Sequence, residues 1–207
     1  MTQPAIDAVT EKPSSIGTNA KPNSQTWYRP LFSHEHGVYV VLLVSFLTGA
    51  ALAQAWTFST TLALACAFFG FQAEHPIVLQ LKQRRSLKPR FLVWGGLYSV
   101  ASLAIAFWLY LSYPILLWLY VGAVAALVVD VVSVLHREQK SIFNELITFA
   151  AVCLAAPLAY GATTGTISTT ALGLWVLNAL YFSSTIFTVK LRKTKTSSPI
   201  PGMVYHA

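Results

Sequence analysis

Six apolar runs, each close to the length of a membrane-crossing helix, leave this chain few ways to fold. They are Val38–Ala53, Thr57–Leu81, Phe91–Leu111, Ile115–Leu135, Phe143–Ala162 and Thr169–Val189. A bilayer core about 30 Å thick needs roughly 20 helical residues to cross it. Backbone groups inside lipid must pair within the segment, so these runs read as helices. Alternating polar and apolar positions are absent, which argues against a barrel. Composition agrees: 55% of the 207 residues are hydrophobic and 10% charged, where soluble domains carry about a quarter.

The loops orient the runs. Lys82, Arg84, Arg85, Lys88 and Arg90 follow the second run, Arg137 and Lys140 the fourth, and Lys190, Arg192, Lys193 and Lys195 the sixth. The loops after the first, third and fifth runs carry no Lys or Arg. Because cytoplasmic loops hold the excess of Lys and Arg, both termini are expected inside. The fold class is therefore an all-α polytopic membrane bundle of six transmembrane helices. Short uncharged turns predict that each pair of spans forms an antiparallel hairpin.

Residues 1–30 read as a disordered cytoplasmic tail, 31–193 as the transmembrane domain and 194–207 as a second cytoplasmic tail. The leader is rich in Pro, Ser, Thr, Asn and Lys and has no apolar signal core. The net charge of +7 lies beside the spans. It suits anionic lipid and topology, and excludes nucleic acid as the expected partner. Cys66 and Cys153 sit in apolar runs and read as small buried residues, with no disulfide. Phosphate-binding Gly-rich loops and serine-nucleophile elbows are absent.

Topology gathers the polar residues. Outside the leader the acids are Glu35, Glu74, Asp130, Glu138 and Glu145, and all fall on the cytoplasmic side. Two Glu-His dipeptides share that side: Glu35-His36 at the door of the first span and Glu74-His75 near the end of the second. Asp130 and Glu74 are the deepest acids, and an acid inside a span usually has a partner. Arg137, Lys140 or a bound cation are the expected neutralisers. The candidate polar site is Glu35, His36, Glu74, His75, Asp130, Asn144 and Glu145. His36, Glu74 and His75 are the metal candidates, since imidazole and carboxylate hold divalent cations such as magnesium. Arg85 and Lys88 are the phosphate candidates.

Plainer readings stand beside these. Glu35 and Glu145 sit at helix N-termini, where an acid complements the macrodipole. The basic loop serves orientation. Pro76 kinks or ends the second run, and Pro157 should kink the fifth. Asn178, Tyr181, Thr185 and Thr188 recur at helical spacing and read as a polar stripe bonding between helices or lining a cavity. Gly95, Gly96, Gly122, Gly161 and Gly173 read as points of close helix approach.

Glu35-His36-Gly37 entering the first span resembles the YwiC-like family of bacterial membrane proteins. So do Asn144-Glu145-Leu146, the segment Pro157-Leu158-Ala159-Tyr160 followed by Thr164-Gly165, and the closing Phe187-Thr188-Val189-Lys190-Leu191-Arg192. The resemblance covers roughly residues 30 to 193. It implies a multi-pass bundle in the bacterial inner membrane and assigns no catalytic residue. A fainter similarity, a basic turn followed by a helix with Pro near its far end and a Thr-Gly turn, is to UbiA-type prenyltransferases. Their Asn-Asp-x-x-Asp and Asp-x-x-x-Asp motifs are absent, so no catalytic residue carries over.

Acids for a cation and bases for phosphate at one interface suit an isoprenoid or other lipid diphosphate. Two alternatives are a small transporter with Glu74 and Asp130 as relay groups, and a non-catalytic accessory protein bound to a membrane partner. The topology has its own test. A reporter active only in the cytoplasm, fused after Ala207, should give signal, and one active only outside should stay silent. The reverse result breaks the six-span assignment.

Overall fold

The computed structural model describes residues 36–83, 89–136 and 141–193, with side chains as far as Ile186. The two predicted tails, Glu35, Arg84, Arg85, Lys88, Arg137, Glu138 and Lys140 lie outside the described residues. The helices are α1 (His36–Ala53), α2 (Phe58–Lys82), α3 (Pro89–Ser112), α4 (Leu117–Leu135), α5 (Ile142–Cys153), α6 (Ala155–Thr164) and α7 (Thr169–Lys193). A single 3-10 turn, Pro114–Leu116, leads into α4. Among the described residues, α1, α2, α3, α4 with its 3-10 turn, and α5–α6 taken together are long and apolar enough to cross a membrane. The 25-residue α7 takes the place of the sixth run.

Local chemistry sets the boundaries. Thr57 caps α2: its hydroxyl accepts from the Thr60 N–H at 3.2 Å, while the Thr57 N–H donates to the Thr60 hydroxyl at 3.1 Å. This reciprocal pair fixes the turn after α1. Gly165 closes α6 at φ +74, a left-handed backbone that favours glycine. The fifth run is two helices that meet at Leu154, three residues before Pro157. The Leu154 N–H turns back to the Ala151 carbonyl at 3.1 Å. Proline has no N–H for the Cys153 carbonyl, and its ring crowds that carbonyl. Pro76 neither ends nor breaks α2, which runs on to Lys82. The buried Pro76 ring instead packs on α3, where its Cγ lies 3.4 Å from the position of a Cβ on Gly95.

Packing does not follow chain order. α2 and α3 form the most extensive pair, as a hairpin should, but α1 packs chiefly on α6 and only lightly on α2. α3 and α4, joined by a short turn, barely touch. The hairpin expectation is thus corrected for the first and third turns, while the fifth run, as α5 and α6, does pack on α7. The reason lies in side-chain size. Lipid is as apolar as a core, so helices associate where small residues let backbones approach. From Ala155 to Ala159 every residue of α6 is buried, and so are Gly161 and Ala162. On α1, a Cβ added at Gly49 would collide with the carbonyl of Ala156.

Of the glycines expected at close contacts, Gly161 is confirmed and Gly95 makes ordinary contact with Pro76 and Ile77. Gly161 faces Leu116, whose Cδ2 is 2.8 Å from a built Cβ. Gly96 and Gly173 have open space, and Gly122 makes only ordinary contact with Leu154. The tightest site, Gly49, was not singled out. The span-six stripe also resolves differently. Asn178 is buried and its amide donates to the Thr48 hydroxyl at 3.0 Å, whereas Tyr181 is 69% exposed. The Thr185 hydroxyl donates to the Phe182 carbonyl of its own helix. Thr188 lies beyond the described side chains. Both cysteines are buried and free, as expected.

Gly49→Ala should destabilise the purified protein by about 1–3 kcal/mol, the usual cost of overpacking. Gly96→Ala should be neutral or slightly stabilising, because alanine is the better helix former. Equal melting temperatures for the two variants would contradict the α1–α6 contact.

Candidate functional site

The acids collect where α2 and α4 end and α5 begins. Ser141 caps α5, its hydroxyl accepting from the Asn144 N–H at 3.1 Å. That cap places Asn144 in the first helical turn with only 4% exposure. The Asn144 amide then donates to Asp130 Oδ1 at 2.8 Å. One turn further on, the Thr148 hydroxyl donates to the Asn144 carbonyl at 3.0 Å. Asp130 therefore has a neutral amide as a partner, and the basic neutralisers expected from the sequence, Arg137 and Lys140, lie outside the described residues. The Asn144 side-chain oxygen is buried and accepts no hydrogen bond. Glu145, half-buried beside it in the first turn, fits the macrodipole reading.

Glu74 and Asp130 both line one cavity of about 340 Å³, walled by α2 to α6 with Leu42 of α1. Small side chains make the room: Ala67, Gly70 and Ala73 on α2, Ala106 on α3, Ala123 and Ala126 on α4. Hydroxyls of Ser99, Ser102, Tyr120 and Thr148 interrupt an otherwise apolar wall. The Tyr120 hydroxyl is buried and has no hydrogen-bond partner. The lining along α4 runs from Leu119 to Asp130, about 16 Å at 1.5 Å per residue. Glu74 and Asp130 stand toward one end of that lining. A second hollow of about 630 Å³, between α4, α5 and α7, has no ionisable side chain in its lining.

A bond between α1 and α2 places His36 relative to His75. Tyr39 donates to Gln72 Oε1 at 2.7 Å and packs edge-on to Phe71 at 5.1 Å. One turn outward from this pairing, His36 and His75 stand level on antiparallel helices. His36 is exposed and begins α1, and His75 is half-buried. Among the described residues, no three of His, Cys, Asp and Glu gather as a metal-holding group, so His36, Glu74 and His75 are not brought together as one. Glu35, Arg85 and Lys88 lie outside the described residues.

The Tyr39–Gln72 bond was missed, although a signal was present. Both residues stand equally far from the turn between α1 and α2, and Gln72 interrupts an apolar run. Gln72 is fully buried and its Nε2 donates to no partner. Ser102 was missed as well. Its hydroxyl donates across the α2–α3 interface to the Cys66 carbonyl at 3.0 Å, a use of serine common between membrane helices.

Span-length apolar helices, small-residue contacts and acids confined to one end define a polytopic helical membrane protein. A family model described as YwiC-like protein matches residues 32–160, and the chain belongs to that family. The match takes in the Glu35-His36-Gly37 entry, Asn144-Glu145-Leu146 and Pro157 to Tyr160. It stops before Thr164-Gly165 and α7. Searches among curated proteins and among solved structures found no match.

Asn144→Ala should destabilise the protein by about 1–3 kcal/mol, since it strands the Asp130 carboxylate. Asp130→Asn retains a carbonyl acceptor and should destabilise it less. Melting temperatures in detergent measure both. A silent Asn144→Ala would remove the bond from the site.

Proposed function

We propose that this protein binds an isoprenoid or other single-chain lipid in the α2–α6 cavity, with the lipid's polar head at the Glu74–Asp130 end. The observation that carries the reading is the cavity's lining: apolar over most of its length, with Glu74 and Asp130 toward one end. On this reading the acidic end is cytoplasmic, the membrane is the bacterial inner membrane, and the lipid is a diphosphate. Magnesium is commonly held by one or two carboxylates together with substrate phosphates and water. Glu74 and Asp130, which line the same cavity, are suited to hold it. His36 and His75 are softer donors standing level at the same end. Arg85 and Lys88, in the basic loop between α2 and α3, would meet the phosphates. The cation would screen the phosphate charge, and the helix walls would align the chain and exclude water. This is an enzyme-like arrangement, and no residue is assigned a chemical step.

A relay of protons or cations through Glu74 and Asp130 is the second reading. It draws on the same fact, two carboxylates within spans.

Melting the purified protein with magnesium and a long-chain prenyl diphosphate, together and singly, tests the first reading. A ligand at a hundred times its Kd stabilises by about 2.7 kcal/mol, a rise of roughly 5–10 °C for a chain of this size. The rise should need both components and disappear in Glu74→Gln and Asp130→Asn. With no rise, the diphosphate reading falls, and cation flux into proteoliposomes with wild type against Asp130→Asn decides the second.

A further inference from the structure

We infer that the chain of the bound lipid enters sideways from the bilayer, through a gap between α3 and α4. This rests on the reading that the cavity holds a hydrocarbon chain, and it adds the route. Other helix pairs around the cavity are joined by packed interfaces. Pro76 lies on Gly95 and Ser102 bonds to the Cys66 carbonyl, which seals α2 to α3. Asp130 and Asn144 tie α4 to α5. The hydroxyls of Thr60 and Thr163 meet at 2.7 Å and join α2 to α6.

α3 and α4 both line the cavity and barely touch one another. Their facing rims are part of the cavity wall and are open to the outside. Leu103 is 66% exposed and Val124 56% exposed, and both line the cavity. The exposed Ala123 lines it too. Along the spans this outside is lipid, so a chain passing between the rims leaves one apolar medium for another. It meets no water on the way.

A photoreactive probe tests the route in the full-length protein. The probe is an alkyl chain with a terminal diazirine, without phosphate, dissolved in phosphatidylcholine liposomes that hold the protein. Val152, Ala155 and Leu158 line the cavity yet are buried from lipid, so adducts there, read by mass spectrometry, require entry. Wild type should give them. Leu103→Trp with Val124→Trp should bring them to background. Leu97→Trp, on an exposed position of α3 outside the cavity, should not. Leu103→Ala widens the gap and should raise the yield, which guards against a tryptophan variant that misfolds.

Wild type without adducts at these three positions, or yields indifferent to both Leu103 substitutions, would overturn the route. The two proposals fail separately. Entry of the probe with no stabilisation by prenyl diphosphate and magnesium keeps the route and removes the diphosphate head. Stabilisation without adducts leaves binding in place and removes the lateral path.

Discussion

The close approach of α1 to α6 is the contact on which the rest of the bundle depends. In water, apolar faces drive helices together. In lipid that drive is absent, and contact area between smooth backbones replaces it. The α6 sequence Ala-Ala-Pro-Leu-Ala-Tyr-Gly-Ala is built for such contact, and Gly49 lets the α1 backbone reach the Ala156 carbonyl. Pro157 also ends α5 one turn earlier, so the two halves of this span meet different neighbours. α5 leans mainly on α7 and α4, while α6 leans mainly on α1 and α2. A straight helix would have offered one face to all of them.

That division makes the site. The α5 half brings Asn144 to Asp130 at the charged end, while the α6 half closes the bottom of the cavity with Ala155 and Leu158. At the far end the polar groups are neutral: Thr57, Thr60 and Thr163 form hydroxyl contacts, and Ser59 meets Tyr113 at 3.4 Å. One end of the molecule thus handles charge and the other only hydrogen bonds.

Much of the fold was legible in the sequence, because span length is a one-dimensional signal. The runs, the Pro157 break and the buried cysteines needed no tertiary information. Neighbour choice did. Core and lipid faces are both apolar, so hydropathy gives the same value to buried Phe46 and exposed Phe107. Residue size would have separated them better: α6 buries Ala155, Ala156 and Ala159, while α3 exposes Val100, Leu103 and Phe107. The span-six stripe misled for a related reason, since hydroxyls that bond back to their own helix, like that of Thr185, can face lipid. For the site, sequence placed Asp130 and Asn144 on one side of the membrane. Their direct bond required knowing that α4 and α5 pack together.

The single interface that holds α3 has a mechanical consequence. Among the described residues this helix leans on α2 and, at its end, on the 3-10 turn before α4. Elsewhere its surface lines the cavity or is exposed on the outside of the bundle. Tilting it away would therefore rupture mainly the seam with α2, where Ser102 bonds to the Cys66 carbonyl. Local openings begin where such seams are fewest. The wall with the weakest anchorage is also the wall that borders the gap, so the width of that gap is governed by how firmly two helices adhere along one line.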